Sequence, residues 1–137
     1  MSFPITAKCQ CGQSGYHLHK APLKVFACHC TECQKLATSP YSVTAIAATQ
    51  DVEFFGDMAA WSRSSDSGNT NSAKFCPACG NRIYHFNPAD AATVKLKLKP
   101  VHVQDDTIFA PQAHVWTCEQ LSWLELSGSI PSFDKMP

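Results

Sequence analysis

Hydrophobic residues in this chain come in short groups that alternate with polar residues, and this pattern predicts many short β-strands. Residues 16–19 alternate aromatic or aliphatic side chains with histidine, and residues 93–99 alternate strictly between apolar residues and threonine or lysine. A period of two is typical of a strand with one buried face. Lys95, Lys97 and Lys99 are expected to cover the other face and keep the outside of the sheet soluble.

Similar groups predict further strands at 23–27, 41–49, 52–55, 58–61 and 83–86, with shorter ones around 108–109, 114–116 and 123–124. Gly56 and Asp57 would suit a hairpin between two of them, 52–55 and 58–61. The serine-rich stretch 62–72 has almost no apolar residue and is predicted to be an exposed loop, with a mobile flap as the alternative.

One short helix is predicted over 32–37, because Thr31 is a good N-cap and no breaker follows before Pro40. This helix would place Cys33 in its first turn, where the helix dipole favours a thiolate. The pattern predicts no helix of ordinary length. The expected fold is therefore mainly β, with several small antiparallel sheets, turns that could hold zinc, and at most one or two short helices.

The composition fits one compact domain and narrows the range of functions. The 137 residues are 45% hydrophobic and 16% charged, with a formal net charge of zero. Nothing supplies the concentrated positive charge that nucleic acid requires. Residues 1–8 contain no basic region followed by an apolar core, and no later run approaches the length of a membrane span. We expect a soluble cytoplasmic protein, and the sequence makes no prediction of its oligomeric state.

Seven of the eight cysteines lie in tight groups, which matches chelation of a metal better than disulfide cross-linking in a reducing compartment. The groups are Cys9/Cys11, Cys28/Cys30/Cys33 and Cys76/Cys79. The two pairs together supply the four sulfurs of a closed zinc site. The remaining group, Cys28/Cys30/Cys33, then supplies three ligands and leaves one position of a second zinc open. A rival arrangement gives the triple an outside ligand, with three candidates: Cys118, His85 and His114.

A zinc ion bound by three thiolates forms a complex with a net charge near −1. This charge makes the metal less able to lower the pKa of a bound water molecule. A substrate thiol suits such a site better, because coordination removes its proton and leaves a nucleophilic sulfur. The chemistry predicted from the residues is thiolate addition or exchange.

Motifs spanning nearly the whole chain resemble the glutathione-dependent formaldehyde-activating enzyme family: 9–12, 28–35, 75–80, 114–116 and 131–133. The resemblance implies one zinc-binding domain over 1–137 with coiled β-sheets and two Zn²⁺ per chain. It implies that a structural zinc is held by Cys9, Cys11, Cys76 and Cys79. It implies that a catalytic zinc is held by Cys28, Cys30 and Cys33. The implied partner is glutathione or another small thiol, and the implied activity is that of a carbon–sulfur lyase of the S-hydroxymethylglutathione synthase type.

A second hypothesis is a non-catalytic zinc module that carries glutathione or binds a protein, with both zincs structural. Other residues have modest expected roles. His29 could carry protons, but its ring is expected to face outward between the ligands. Trp116 is expected in the core, His114 at the surface or hydrogen-bonded, and Cys118 buried. Three basic residues could hold glutathione carboxylates or simply be solvated: Arg63, Lys74 and Arg82.

Overall fold

The computed structural model describes residues 2–65 and 67–137. The strands in this part of the chain are β1 (Ile5–Lys8), β2 (Gly15–Leu18), β3 (Lys24–Cys28), β4 (Ser42–Ala48), β5 (Val52–Phe55), β6 (Ala59–Ser64), β7 (Thr70–Phe75), β8 (Arg82–Asn87), β9 (Asp90–Leu96) and β10 (Ala113–Val115). One α-helix, α1 (Thr31–Ala37), lies among the described residues. None of the helices described is long and apolar enough to cross a membrane.

The described strands form two sheets, so the prediction of a mainly β fold is confirmed. A three-stranded sheet has the order β1-β2-β5, and a seven-stranded sheet has the order β10-β3-β4-β9-β8-β7-β6. Pairing between these strands is antiparallel except for β10 on β3, which is parallel. The predicted antiparallel pairing therefore holds for the other pairs of described strands.

The hairpin expected at Gly56 does not form. Strand β5 pairs with β2, whereas β6 pairs with β7 in the other sheet. Gly56 is required for a different reason, because it has a φ of +84° and a Cβ there would overlap the carbonyl oxygen of Gln13 and lie 2.7 Å from Ser14 Cα. Because glycine has no side chain, the segment that leads from β5 in one sheet to β6 in the other can pass close to the turn that follows β1.

The serine-rich stretch predicted as a loop is mostly strand. Strands β6 and β7 form a hairpin in which Ser62 lies opposite Ser72, and their hydroxyl oxygens are 2.8 Å apart. Within the predicted loop, Asp66 lies outside the described residues. The pattern of apolar residues misses this hairpin because the outer strand of a sheet can be held by backbone hydrogen bonds while its side chains stay exposed.

The short helix is close to its predicted position. Its N-cap is Cys30 rather than Thr31, and the Cys30 sulfur accepts a hydrogen bond from the backbone N–H of Cys33 at 3.3 Å. Cys33 lies in the first turn, as predicted. The helix ends at Thr38 in the left-handed region, with a φ of 47°, before Pro40 is reached. Two other predictions are wrong: 108–109 belongs to a 3₁₀ turn, Asp106–Phe109, and 123–124 is not a strand.

The main core lies between the two sheets. Its largest fully buried side chains are Tyr16 and Leu18 from the small sheet, with Ile83 and Leu96 from the large one. Because strand side chains alternate between faces, the residues next to Leu96 in β9 point away from this core. The face of the large sheet that does not pack on this core lines a cavity, which is described below.

Candidate metal centres

Four thiols meet between the turn that follows β1 and the turn that follows β7. We call Cys9, Cys11, Cys76 and Cys79 the four-thiol cluster, and their sulfur atoms all lie within 4.8 Å of one another. The Cys11 sulfur is 3.6 Å from those of Cys9 and Cys76. Tetrahedral zinc with bonds of about 2.3 Å separates its sulfurs by about 3.8 Å, so this cluster fits a closed metal site.

Backbone groups hold the four-thiol cluster in shape. Backbone N–H groups donate to its sulfurs, from Ser14 to Cys9 at 3.3 Å and from Cys79 to Cys76 at 3.5 Å. The hydrogen bond from the Cys79 N–H lowers the pKa of the Cys76 thiol to about 6. A sulfur that receives such bonds is favoured as the thiolate, which is the form that binds a metal.

Three more thiols meet where β3 runs into α1. We call Cys28, Cys30 and Cys33 the three-thiol cluster, and their sulfurs lie within 4.8 Å of one another. Cys28 is the last residue of β3, Cys30 caps the helix, and Cys33 lies in its first turn. Among the described residues, no fourth cysteine, histidine or carboxylate atom lies within 4.8 Å of all three sulfurs. The cluster could therefore hold a metal and leave one position open.

The outside ligands considered from the sequence lie elsewhere. Cys118 is exposed rather than buried, so that prediction is wrong. His85 Nε2 is 3.0 Å from Arg82 Nη1, and His114 Nδ1 is 2.9 Å from His29 Nε2. Burial, followed by the charges of Lys97 and Arg82, lowers the pKa of His85 to about 3. Neither histidine joins the three-thiol cluster.

His29 points inward and is fully buried, so the expectation of an outward ring is wrong. Its ring centroid is 5.0 Å from those of Tyr41 and His114, and its backbone N–H donates to the carbonyl of Val115 at 2.9 Å. Burial, then the charge of His114, lowers the pKa of His29. His29 thus ties the loop between two of the clustered thiols to β10.

Lys97, just beyond β9, lies beside the three-thiol cluster, so the prediction that it covers a solvent-facing side of the sheet is wrong. Its Nζ donates to Thr44 Oγ1 at 2.6 Å and to Ser42 Oγ at 3.4 Å, and it lies 3.9 Å from the sulfur of Cys33. Lys95 is exposed as predicted, but Lys97 and Lys99 are half-buried. The alternation correctly identified a shared face, and it could not show that the face lines a site.

The pKa values of the three thiols diverge. Hydrogen bonds from the thiols of Cys28 and Cys30, and then the charge of Lys97, hold the pKa of Cys33 well below its usual range. Contacts with the other two thiols raise the pKa of Cys28. Cys33 is therefore the sulfur most favoured as a thiolate before any metal binds.

A cavity of about 840 Å³ opens in front of the three-thiol cluster. Its wall is the face of the large sheet opposite the core, continued by the first turn of α1 and by Trp116. Charged side chains lining it include Glu32, Arg63, Arg82, Lys95, Lys97 and Glu119. Trp116 is half-buried and packs only partly against a small core cluster, so its predicted core position is only partly correct.

Sequence reasoning missed several residues of this site. Lys97 and Thr44 come together only through strand pairing. The Glu119 carboxylate accepts a hydrogen bond from the backbone N–H of Thr31 at 2.7 Å, across 88 positions. Of the three basic candidates, Arg63 and Arg82 line the cavity, whereas Lys74 is not among its lining residues.

Comparison with known proteins gives a family match and a fold match. The model of a family described as glutathione-dependent formaldehyde-activating enzyme matches residues 4–119. A crystal structure of a Rhodobacter sphaeroides protein, a structural genomics target, covers 93% of this chain and 99% of its own, with 13% identity and a TM-score of 0.52. At that identity the likeness concerns the fold alone. No curated protein matches the sequence significantly.

Proposed function

The chain belongs to the glutathione-dependent formaldehyde-activating enzyme family, and we propose that it is a zinc-dependent carbon–sulfur lyase acting on the adduct of an aldehyde with glutathione or another small thiol. The observation that carries this proposal is the three-thiol cluster, whose sulfurs gather without a fourth described ligand at the wall of a cavity large enough for a tripeptide.

We assign different roles to the two clusters. The four-thiol cluster would hold a structural zinc, since four sulfurs complete a tetrahedral site. The three-thiol cluster would hold a catalytic zinc, which would supply an open position where a substrate thiol loses its proton. Each cluster fits a soft divalent metal by its donor set and by the closeness of its sulfurs.

The cavity offers charges that complement glutathione. Glutathione carries a carboxylate and an ammonium group at its glutamyl end and a second carboxylate at its glycyl end. Its thiol lies between the two ends. Arg63 and Arg82 line the cavity and would attract the carboxylates. Glu32 and Glu119 line it beside α1 and would attract the ammonium. These residues would orient the peptide with its sulfur toward the three-thiol cluster.

The proposed reaction joins sulfur to carbon without any change in redox state. In the direction of synthesis the thiolate sulfur forms a bond with the aldehyde carbon while the carbonyl π bond breaks. The oxygen gains a proton and becomes the hydroxyl of the adduct, and in the lyase direction the same bonds form and break in reverse. The walls of the cavity would bring the two reactants together and limit the water around the sulfur.

Cys30→Ser tests this proposal, with zinc counted per chain and adduct formation followed by the disappearance of free thiol and aldehyde. We expect loss of one of two zincs, a retained fold, and loss of activity. A rate equal to the uncatalysed background in the unmodified protein would contradict the enzymatic function.

X-ray absorption at zinc provides a second test of the proposal. Glutathione should add one sulfur ligand to the three-thiol site. A fourth protein ligand already in place, with no change on adding glutathione, would favour a non-catalytic zinc module instead.

A further inference from the structure

The ammonium group of Lys97 is held in place at the wall of the cavity. It has three N–H donors, and three acceptors surround it: Thr44 Oγ1 at 2.6 Å, Ser42 Oγ at 3.4 Å and Cys33 Sγ at 3.9 Å. Two of these acceptors belong to β4, a central strand of the large sheet. The position of the charge is therefore set by the sheet and not by a flexible surface contact.

Strand pairing explains how Lys97 comes to lie beside the cysteines. In the pairing of β9 with β4, Lys95 lies opposite Ile46, so the register continues to place Lys97 near Thr44. In the pairing of β4 with β3, Ser42 lies opposite Cys28. The polar end of β4 thus bridges the lysine and the start of the three-thiol cluster.

The charge of the three-thiol cluster gives Lys97 a specific task. Three thiolates around a divalent cation have a net charge of −1, and a substrate thiolate would bring it to −2. Accumulating negative charge in a partly buried wall is unfavourable unless a positive group lies nearby. With Lys97 included, the two states have net charges of 0 and −1. In the four-thiol cluster, by contrast, Ser14 and Cys79 donate from neutral backbone groups.

We propose that Lys97 is the positively charged positioning residue of the three-thiol cluster, which allows the cluster to keep its metal while an anionic sulfur ligand binds. The inference rests on the function proposed above for the identity of that ligand. It also bears on the substrate class, because the charge of Lys97 lowers the electrostatic cost of an anionic fourth ligand, such as a thiolate, relative to the same site without the lysine.

Four variants separate charge from structure. Lys97→Met removes the charge and keeps most of the side-chain length. Lys97→Gln is a second neutral variant that can still donate a hydrogen bond to Thr44. Lys97→Arg keeps the charge. Lys95→Met is the matched control, because Lys95 lines the same cavity two residues earlier but is exposed.

The first measurement is zinc affinity, determined by competition with a chromogenic chelator. Changes around metal ligands typically lower affinity about 10- to 100-fold. We expect a loss of this size in both neutral variants for the zinc of the three-thiol cluster, which is the weaker of the two because it has three protein ligands instead of four. Lys97→Arg should restore most of the affinity, and Lys95→Met should change it less than about twofold. Retention of the tighter zinc will show that the fold is intact. Unchanged affinity in both neutral variants would overturn the inference.

The second measurement is glutathione binding to protein with cobalt(II) at the three-thiol site, followed by the sulfur-to-cobalt absorption. We expect about tenfold weaker binding in Lys97→Met and near-normal binding in Lys97→Arg. If the unmodified protein gives no response to glutathione, the proposed function fails, while a loss of zinc affinity still supports the role of Lys97. Equal glutathione affinity in the unmodified protein and both neutral variants would contradict that role.

Discussion

The side chain of Asn81 accepts a hydrogen bond from the backbone N–H of Gln10 at 2.7 Å, across 71 positions of the chain. This bond joins the two turns that carry the four-thiol cluster. The backbone carbonyl of Asn81 also accepts from the N–H of Cys76 at 2.9 Å. The turns are therefore connected by the protein itself, in addition to any metal between them.

Asn81→Ala should lower the free energy of unfolding by about 1 kcal/mol, because it removes the acceptor of the hydrogen bond from the Gln10 N–H and of a weaker contact, at 3.7 Å, with the Cys79 thiol. Zinc content should stay the same, since no thiol is changed. Urea unfolding followed by circular dichroism measures the first quantity, and metal analysis measures the second. A loss of zinc at equal pH would show that Asn81 has a larger role than the bond to Gln10 implies.

Cys76→Ser should have a far larger effect than Cys30→Ser. The four-thiol cluster joins residues far apart in sequence, so metal binding there is coupled to folding. We expect a loss of about 4 kcal/mol or more in Cys76→Ser, together with release of zinc on mild heating. Thermal unfolding with a zinc-sensitive dye measures both. Equal destabilisation by the two substitutions would contradict the assignment of separate structural and catalytic sites.

His114→Ala should destabilise the protein by about 1–3 kcal/mol, because it leaves the buried ring of His29 without its partner at Nε2. The exposed pair of His19 and Glu53, 3.0 Å apart, offers a matched control. His19→Ala should cost less than about 1 kcal/mol, since a pair between two exposed side chains contributes little. Urea unfolding of the two variants at pH 7.5 distinguishes them, and equal losses would contradict the buried pair.

Gly56→Ala should be among the most destabilising single changes, at more than about 3 kcal/mol. Its added methyl group would overlap the backbone at Gln13, which cannot rotate away. Gly128 also has a positive φ, of 77°, but no described atom lies within 4 Å of its would-be Cβ. Gly128→Ala should therefore show only the backbone cost of about 1–2 kcal/mol. Similar melting temperatures for the two variants would contradict the close approach at Gly56.

His85 should remain neutral well below neutral pH, because its pKa is lowered to about 3. In the unfolded chain the same ring takes up a proton near pH 6.5. Between pH 6.5 and 3 the unfolded state binds more protons, so this residue makes the fold less stable as the pH falls. The ring nitrogens should keep the NMR shifts of a neutral imidazole at pH 5.5.

Unfolding experiments test the same shift in His85. His85→Gln should show about 1 kcal/mol less destabilisation than the unmodified protein on going from pH 7.5 to 5.5. An unchanged difference between the two proteins, or a ring that titrates near pH 6, would contradict the lowered pKa.

The sequence pattern was sufficient to predict that the cysteines gather in clusters and to predict most of the strands. Cysteine pairs two or three residues apart, followed by a glycine with positive φ at Gly12 and Gly80, form compact turns that aim their sulfurs in one direction. Such turns depend on local geometry, and local geometry can be inferred from neighbouring residues. The same holds for the alternation in β2 and β9 and for the short helix that carries Cys33.

Tertiary structure decided how those pieces meet. The sequence could not show that 52–55 and 58–61 belong to different sheets, or that polar residues near Ser62 form an edge hairpin, because both depend on backbone pairing between distant segments. The alternation in the sequence also predicted, wrongly, that Lys97 lies on a face exposed to solvent. Alternation determines which side chains share a face of a strand, but only the packing of the other strands and of α1 determines whether that face meets water or, as here, the sulfur of Cys33.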